Sequence, residues 1–177
     1  MSQLLQHNLE LKARCSDLAV AAQRAQEFGA RRAGRERQTD TYFQVPHGRL
    51  KLREIEDQPA VLIWYDRADR SSPKSSHYVL VPILDPVQLK AALTAALGVR
   101  GVVQKRREIW LYQNARIHLD QVVGLGCFLE FEAVLAEEME TPAAQALLDR
   151  LGASLGIQAA DCVAGSYADL LGLCNPP

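Results

Sequence analysis

The constraint that most limits this chain is a repeated alternation of period two in which the polar positions carry charge. In Leu9-Glu10-Leu11-Lys12-Ala13 the apolar side chains share one face of an extended strand, and Glu10 and Lys12 share the other. The same parity pairs Lys51 with Arg53, Tyr65 with Arg67, Lys105 with Arg107, His118 with Asp120, and Glu130 with Glu132. One such strand is an ordinary sheet face in water. A face that is merely solvated, however, intersperses Ser, Thr, Gln and both signs of charge, whereas here acids gather on the last two strands and bases on the third and sixth. If the sheet curls toward closure, these charges meet across a lumen and the apolar face is left for helices to cover.

Strand-like runs cover about 7–14, 35–45, 49–56, 60–67, 76–82, 100–113, 115–123 and 127–135. Short turn sequences link them: Pro46-His47-Gly48, Gln113-Asn114 and Gly124-Leu125-Gly126. Such links favour antiparallel neighbours. Three longer helices interrupt the pattern. Asp85 can cap a helix over 86–97 with Pro86 at its first position, Leu89, Leu93, Ala96 and Leu97 on one face, and Gly98 as its stop. Ser16 precedes a second, carrying Leu18, Ala21, Ala22, Ala25 and Phe28 up to Gly29, and Thr141-Pro142 opens a third ending at Gly152. A shorter helical tail carries Leu170 and Leu171. The Ser-rich stretch from Arg70 to Ser76 reads as a mobile loop between two strands, placed where a lid would be. Neither an internal repeat nor a long linker divides the chain, so residues 1–177 form one expected domain.

The 20 Lys plus Arg against 21 Asp plus Glu leave a net charge of -1, which argues against binding nucleic acid or a membrane through bulk electrostatics. No apolar run approaches the roughly 18 residues of a spanning helix, and the N-terminus has no signal-peptide pattern. The expectation is a soluble, cytoplasmic protein. Cys15, Cys127, Cys162 and Cys174 are far apart, with no C-x-x-C pair, and read as small, reduced core residues.

Any strong charge must then be local, and its segregation points to a ligand. A lumen holding both signs is costly unless something completes it. Carboxylates converging from Glu10, Asp120, Glu130 and Glu132 make an oxygen-rich site suited to Mg²⁺ or Mn²⁺, ions that bridge to phosphates. Lys51, Arg53, Arg67, Lys105 and Arg107 supply point charges and forked donors for phosphate oxygens, and a polyphosphate is the small molecule that needs so many.

Five motifs in order resemble the CYTH superfamily, the triphosphate tunnel enzymes that include class IV adenylate cyclases and thiamine triphosphatases. They are the strand from Asn8 to Arg14, similar to that family's E-x-E-x-K; Gly48 to Glu54; Val103 to Arg107; Ile117-His118-Leu119-Asp120; and Gly124 to Glu132. Gln38 to Phe43 and the tail from Ser166 to Leu171 agree, so the resemblance spans about 7–172. The last two motifs are more similar to the cyclase branch. The resemblance implies the expected fold class, α+β, a closed or nearly closed eight-stranded antiparallel β-barrel with flanking α-helices, a tunnel in which Glu10, Asp120, Glu130 and Glu132 bind metal and Lys12, Lys51, Arg53, Arg67, Lys105 and Arg107 bind the triphosphate, Lys12 and Lys105 being the expected catalytic pair. It also implies ATP conversion to cyclic AMP and pyrophosphate, with an inorganic or organic triphosphatase or a non-catalytic nucleotide sensor as the competing readings, and pairing into a homodimer.

One position departs from the family. Asn8 stands where the first acid of E-x-E-x-K is expected, contributing an amide oxygen but no charge, which weakens a second-metal site more than a first. His118 beside Asp120 reads as orienting a carboxylate more than as a base, Tyr42 and Tyr65 as core more than as tunnel lining, and Gly124 and Gly126 as turn residues.

Overall fold

In the computed structural model, which describes residues 5–135 and 141–173, eight antiparallel strands close into a barrel. They are β1 (Gln6–Arg14), β2 (Arg31–Phe43), β3 (Arg49–Ile55), β4 (Gln58–Arg67), β5 (Lys74–Ile83), β6 (Val99–Tyr112), β7 (Ala115–Val122) and β8 (Gly126–Val134). Their order around the wall is β1-β5-β4-β3-β2-β6-β7-β8, and the β1–β8 pairing completes the circle, so no strand edge is left unpaired. Four helices lie outside or at an end: α1 (Leu18–Glu27), α2 (Pro86–Leu97), α3 (Thr141–Ser154) and the short α4 (Tyr167–Leu170).

The alternation along the strands builds the outer core of the barrel. Leu9, Leu11, Ile117, Leu119, Leu129 and Phe131 point out of β1, β7 and β8 against Ala21 and Ala25 of α1 and Leu147, Leu148 and Leu151 of α3. Ile117, Leu129 and Phe131 are fully buried there. Each such side chain contributes roughly 1.5–3 kcal/mol relative to exposure. A smaller cluster sets Leu50, Leu52 and Leu62 against Leu89, Leu93 and Leu97 of α2. Among the described residues no helix is long and apolar enough to cross a membrane.

Local chemistry explains most boundaries. Asp85 caps α2 by accepting from Gln88 N, Pro86 takes the first position and Gly98 ends it. For α1 the cap is Asp17, not Ser16: its carboxylate accepts from both Ala19 N and Val20 N, as an ionised side chain at a helix N-terminus does. α3 continues through Gly152 to Ser154, because tertiary packing of Leu151 outweighs the small intrinsic cost of one helical glycine. β2 begins at Arg31, four residues ahead of its expected start. Its polar first half pairs with β6 through backbone hydrogen bonds that the side-chain pattern does not register. Gln113 takes a left-handed φ of 52° in the β6–β7 turn.

Two expectations need correction. The Ser-rich stretch is a loop only as far as Pro73, since Lys74, Ser75 and Ser76 form the start of β5, with Lys74 and Ser76 buried. Cys15, Cys127 and Cys162 are free thiols that are half-buried and not core, while Cys174 lies outside the described residues.

The chain after α3 seals one end of the barrel. Cys162 bridges to Ala13 of β1, Val163 N donates to Lys12 O at 2.9 Å, and Tyr167 is buried against Phe128, Val103 and Val122. Asp169 fixes this tail: it accepts from Ser166, from Arg49 Nη2 at 3.1 Å and from Arg100.

Candidate functional site

The barrel encloses a cavity of about 470 Å³. Strand parity decides what lines it. β1 sends in Asn8, Glu10 and Lys12; β3 sends Lys51, Arg53 and Ile55; β4 sends Val61, Ile63, Tyr65 and Arg67. Lys105, Arg107, Ile109 and Leu111 come from β6, Arg116 and His118 from β7, and Glu130 and Glu132 from β8, while Ser166 and Tyr167 of the tail form the closed end. Leu80, at 39% exposure, lies at the opposite end with Ile55, Val61 and Leu111. The lumen therefore has a charged interior and an apolar mouth.

The charges are organised into three groups. In the first, Arg107 Nε and Nη2 donate to Asp120 at 2.7 and 2.6 Å, and Nη2 also reaches Glu130 at 2.6 Å. Tyr167 Oη donates to the same Asp120 at 2.8 Å, and Lys105 Nζ lies 3.6 Å from it. Burial would raise the Asp120 carboxyl, but the Arg107 and Lys105 charges override it and hold the group below the usual carboxylate range. For Lys105, burial dominates, Arg107 adds to it, and the ammonium is pushed down to about 7. Lys105 thus titrates where an enzyme needs a proton donor or acceptor.

In the second group Asp40 is the hub. Arg53 donates to both its oxygens at 2.7 Å, and Lys51 Nζ donates at 3.0 Å. Burial works against ionisation of Asp40, yet Arg53 and Lys51 hold its carboxyl well below the ordinary value. In the third, Lys12 Nζ donates to Glu130 Oε1 at 2.5 Å and lies 3.9 Å from the Tyr167 ring centroid. Glu130 is also held well below its usual range: burial opposes this, while Lys12, His118 and Arg107 outweigh it. Glu10, facing Glu132 across the β1–β8 ladder, pairs with Arg67 at 3.1 Å, but burial dominates and its carboxyl is raised.

Nine of the ten residues expected at the site from the sequence line one cavity, and the tenth, Asp120, is fully buried behind Arg107. The acids nonetheless differ in what they are free to do. Asp120 is fully buried in the grip of Arg107, Glu10 is paired with Arg67 and Glu130 with Lys12, whereas the nearest cation to Glu132 is Arg116 at 3.6 Å. Asp40, Lys74 and Tyr167 were not anticipated as parts of the interior. Parity alone could have found Asp40, two residues from Tyr42 on β2. Lys74 was hidden by the serines around it; fully buried, it donates to Ala164 O at 2.8 Å and to Arg70 O at 2.9 Å. Tyr42 and Tyr65 are buried and line the cavity, serving as core and lining at once.

Ligand atoms of His118, Glu130 and Glu132 lie within 4.8 Å of one another, and Asn8 Oδ1 and His118 Nδ1 are buried with no hydrogen-bond partner among the described residues. Buried polar atoms left unpaired are costly. Together with the adjacent carboxylates they fit a cation.

No curated protein matches the sequence. Among solved structures, the PH1012 protein from Pyrococcus horikoshii OT3 superposes with a TM-score of 0.83 at 23% identity, covering 92% of this chain and 98% of its own. A Vibrio parahaemolyticus protein provisionally assigned as an adenylate cyclase gives 0.77 at 20% identity, covering 94% and 98%. HpAC1 from Hippeastrum, described as having a dominant triphosphatase activity, gives 0.64 at 14% identity, covering 97% and 98%. At these identities the likeness is one of fold. The sequence model of the CYTH domain matches residues 6–167, all eight strands and the sealing tail as far as Tyr167, and the chain belongs to the CYTH domain family.

Proposed function

We propose that the tunnel binds an organic triphosphate with a divalent ion, Mg²⁺ or Mn²⁺, and converts ATP to cyclic AMP and pyrophosphate. The observation that carries this reading is one lumen that joins the apolar side chains of Ile55, Val61, Leu80 and Leu111 to an interior where carboxylates and bases are interlocked. A nucleoside suits the mouth beside Val61, Leu80 and Leu111, and its two outer phosphates suit the interior. Lys51, Arg53, Arg67 and Arg107 would bind those phosphates, Arg53 and Arg107 with forks already oriented by Asp40 and Asp120. In this reading Asp120 serves as the anchor of Arg107, and Glu10, Glu130 and Glu132 would hold the ion. When bound, such an ion supplies a Lewis acid that lowers the pKa of the attacking hydroxyl and neutralises charge on phosphorus.

The remaining steps belong to side chains of the chain itself. Lys12 and Lys105 flank Tyr167 at the closed end, where they would meet the departing pyrophosphate. Lys105, near neutrality at about 7, takes up a proton as phosphate charge arrives and shares it with the leaving oxygen. The sealed end keeps water from the far side, which favours attack by the substrate's own 3′-hydroxyl.

A second reading is hydrolysis of the terminal phosphate, favoured because the same fold in HpAC1 is described with a dominant triphosphatase activity. One assay separates the two. The protein is incubated with Mg²⁺ or Mn²⁺ and, separately, ATP, inorganic triphosphate and thiamine triphosphate, and the products are resolved. Cyclic AMP with pyrophosphate is the expected result; orthophosphate alone contradicts cyclisation, and binding with no turnover would make the chain a sensor.

A further inference from the structure

Most of the lumen's acids already have cations of their own. Arg107 takes both oxygens of Asp120, Lys12 and Arg107 take one oxygen each of Glu130, and Arg67 pairs with Glu10. A metal must compete with those partners. Glu132 is less engaged, its nearest cation being the half-exposed Arg116 at 3.6 Å.

Beside Glu132 stands an unusual neighbour. His118 is 4% exposed, and its Nδ1 lies 3.7 Å from Glu132 Oε1 and 3.8 Å from Glu130 Oε2, too far for hydrogen bonds. That nitrogen has no hydrogen-bond partner among the described residues, and neither has Oδ1 of Asn8, also 4% exposed. Asn8 pairs in register with Val134, so it sits diagonally from Glu132 on the lumen face. Around an ion with bonds of about 2.0–2.2 Å, neighbouring ligands stand roughly 3 Å apart and opposite ones roughly 4.3 Å. The two separations from His118 Nδ1 to the carboxylates fall between these values.

We infer that His118 ligates the tunnel's divalent ion through Nδ1, with Glu132 and Glu130 as carboxylate ligands and the neutral Asn8 oxygen beside them. The resulting site has mixed nitrogen and oxygen donors. Mg²⁺ strongly prefers oxygen and water, whereas a ring nitrogen raises affinity along the first-row transition series. The site should therefore select a transition ion such as Mn²⁺ or Co²⁺ over Mg²⁺. The inference rests on the proposed function only in that the ion then serves the triphosphate.

The test is pulsed electron paramagnetic resonance of the Mn²⁺-loaded protein without triphosphate, prepared with ordinary and with ¹⁵N-labelled histidine. A coupling that changes with the label is expected in the wild type. It should persist in a His7→Gln, His47→Gln, His77→Gln triple variant, which retains His118 as its one histidine of the original four, and disappear from His118→Gln. Absence of bound Mn²⁺, absence of the coupling in the wild type, or its loss from the triple variant overturns the assignment. The wild-type and triple-variant spectra decide the matter even if His118→Gln does not fold. In calorimetric titrations, His118→Gln should lower the ratio of Co²⁺ to Mg²⁺ affinity by about tenfold or more; an unchanged ratio contradicts the inference. Protein that shows the coupling but transforms no triphosphate would refute the proposed function alone, and turnover without the coupling would refute the His118 ligand alone.

Discussion

Arg107 holds Asp120 through a two-pronged hydrogen bond, Nε to Oδ1 at 2.7 Å and Nη2 to Oδ2 at 2.6 Å, inside a wall where neither side chain is more than 4% exposed. The pair sets the direction of the guanidinium, whose Nη2 then reaches Glu130. Charge placed this deep is stable only while each member has its partner.

Arg107→Leu should therefore destabilise the fold, because it leaves Asp120 with Tyr167 and the more distant Lys105 as its partners and removes one partner of Glu130. The expected loss is about 3–5 kcal/mol, or a fall in melting temperature of roughly 10 °C for a chain of this size. Differential scanning calorimetry measures it. An unchanged melting temperature would mean that the buried pair contributes nothing.

The buried Lys105 gives a dependence on the alkaline side. Its folded pKa, about 7, lies below the ordinary lysine value of 10.5, so the unfolded chain binds the extra proton between these limits. Stability from this group is lowest below pH 7 and rises as pH climbs toward 10.5. The wild type should gain on a Lys105→Met variant across that window in denaturant titrations. A constant difference between the two proteins would contradict the shift.

Asp169 gives the opposite sign. Burial raises its carboxyl, but hydrogen bonds from Ser166 and the Arg49 charge hold it down at about 2, below the ordinary 3.8. Its contribution is present above the ordinary value and lost as pH falls toward 2. The stability difference between wild type and Asp169→Asn should thus be full at pH 7 and shrink through that acid window. Since Asp169 pins the sealing tail, the variant should also expose amides near Tyr167 to faster hydrogen exchange at neutral pH.

Lys51→Ala is the cleaner probe of phosphate binding, because Arg53 keeps its two-pronged hold on Asp40 and the carboxylate stays paired. The loss of one charged donor should raise KM by about tenfold or more with a smaller effect on kcat. Steady-state kinetics on ATP would test this, and unchanged KM and kcat would remove Lys51 from the site.

The barrel was legible because its lumen is polar and its outer face apolar, so that each strand must separate Glu10 from Leu11 or Lys51 from Leu52 by parity. Capping chemistry likewise made α2 readable from Asp85-Pro86 and Gly98. What stayed hidden is what depends on strands far apart in sequence. That Asp120 is spent on Arg107 while Glu132 is less engaged follows from how β1, β6, β7 and β8 meet, and no spacing encodes it. Lys74 was missed because serines on both sides carry the composition of a loop. Its burial is set by the tail, whose carbonyl at Ala164 accepts from Nζ at 2.8 Å.

Occupancy of the tunnel is read most directly from a crystal structure of the protein with Mn²⁺ and a non-hydrolysable ATP analogue, using the anomalous signal to locate the metal. A Mn²⁺ peak is expected within bonding distance of Glu132 and His118, with phosphates among Lys51, Arg53, Lys105 and Arg107. Metal or phosphates bound outside the lumen, with the interior charges still paired to one another, would contradict it.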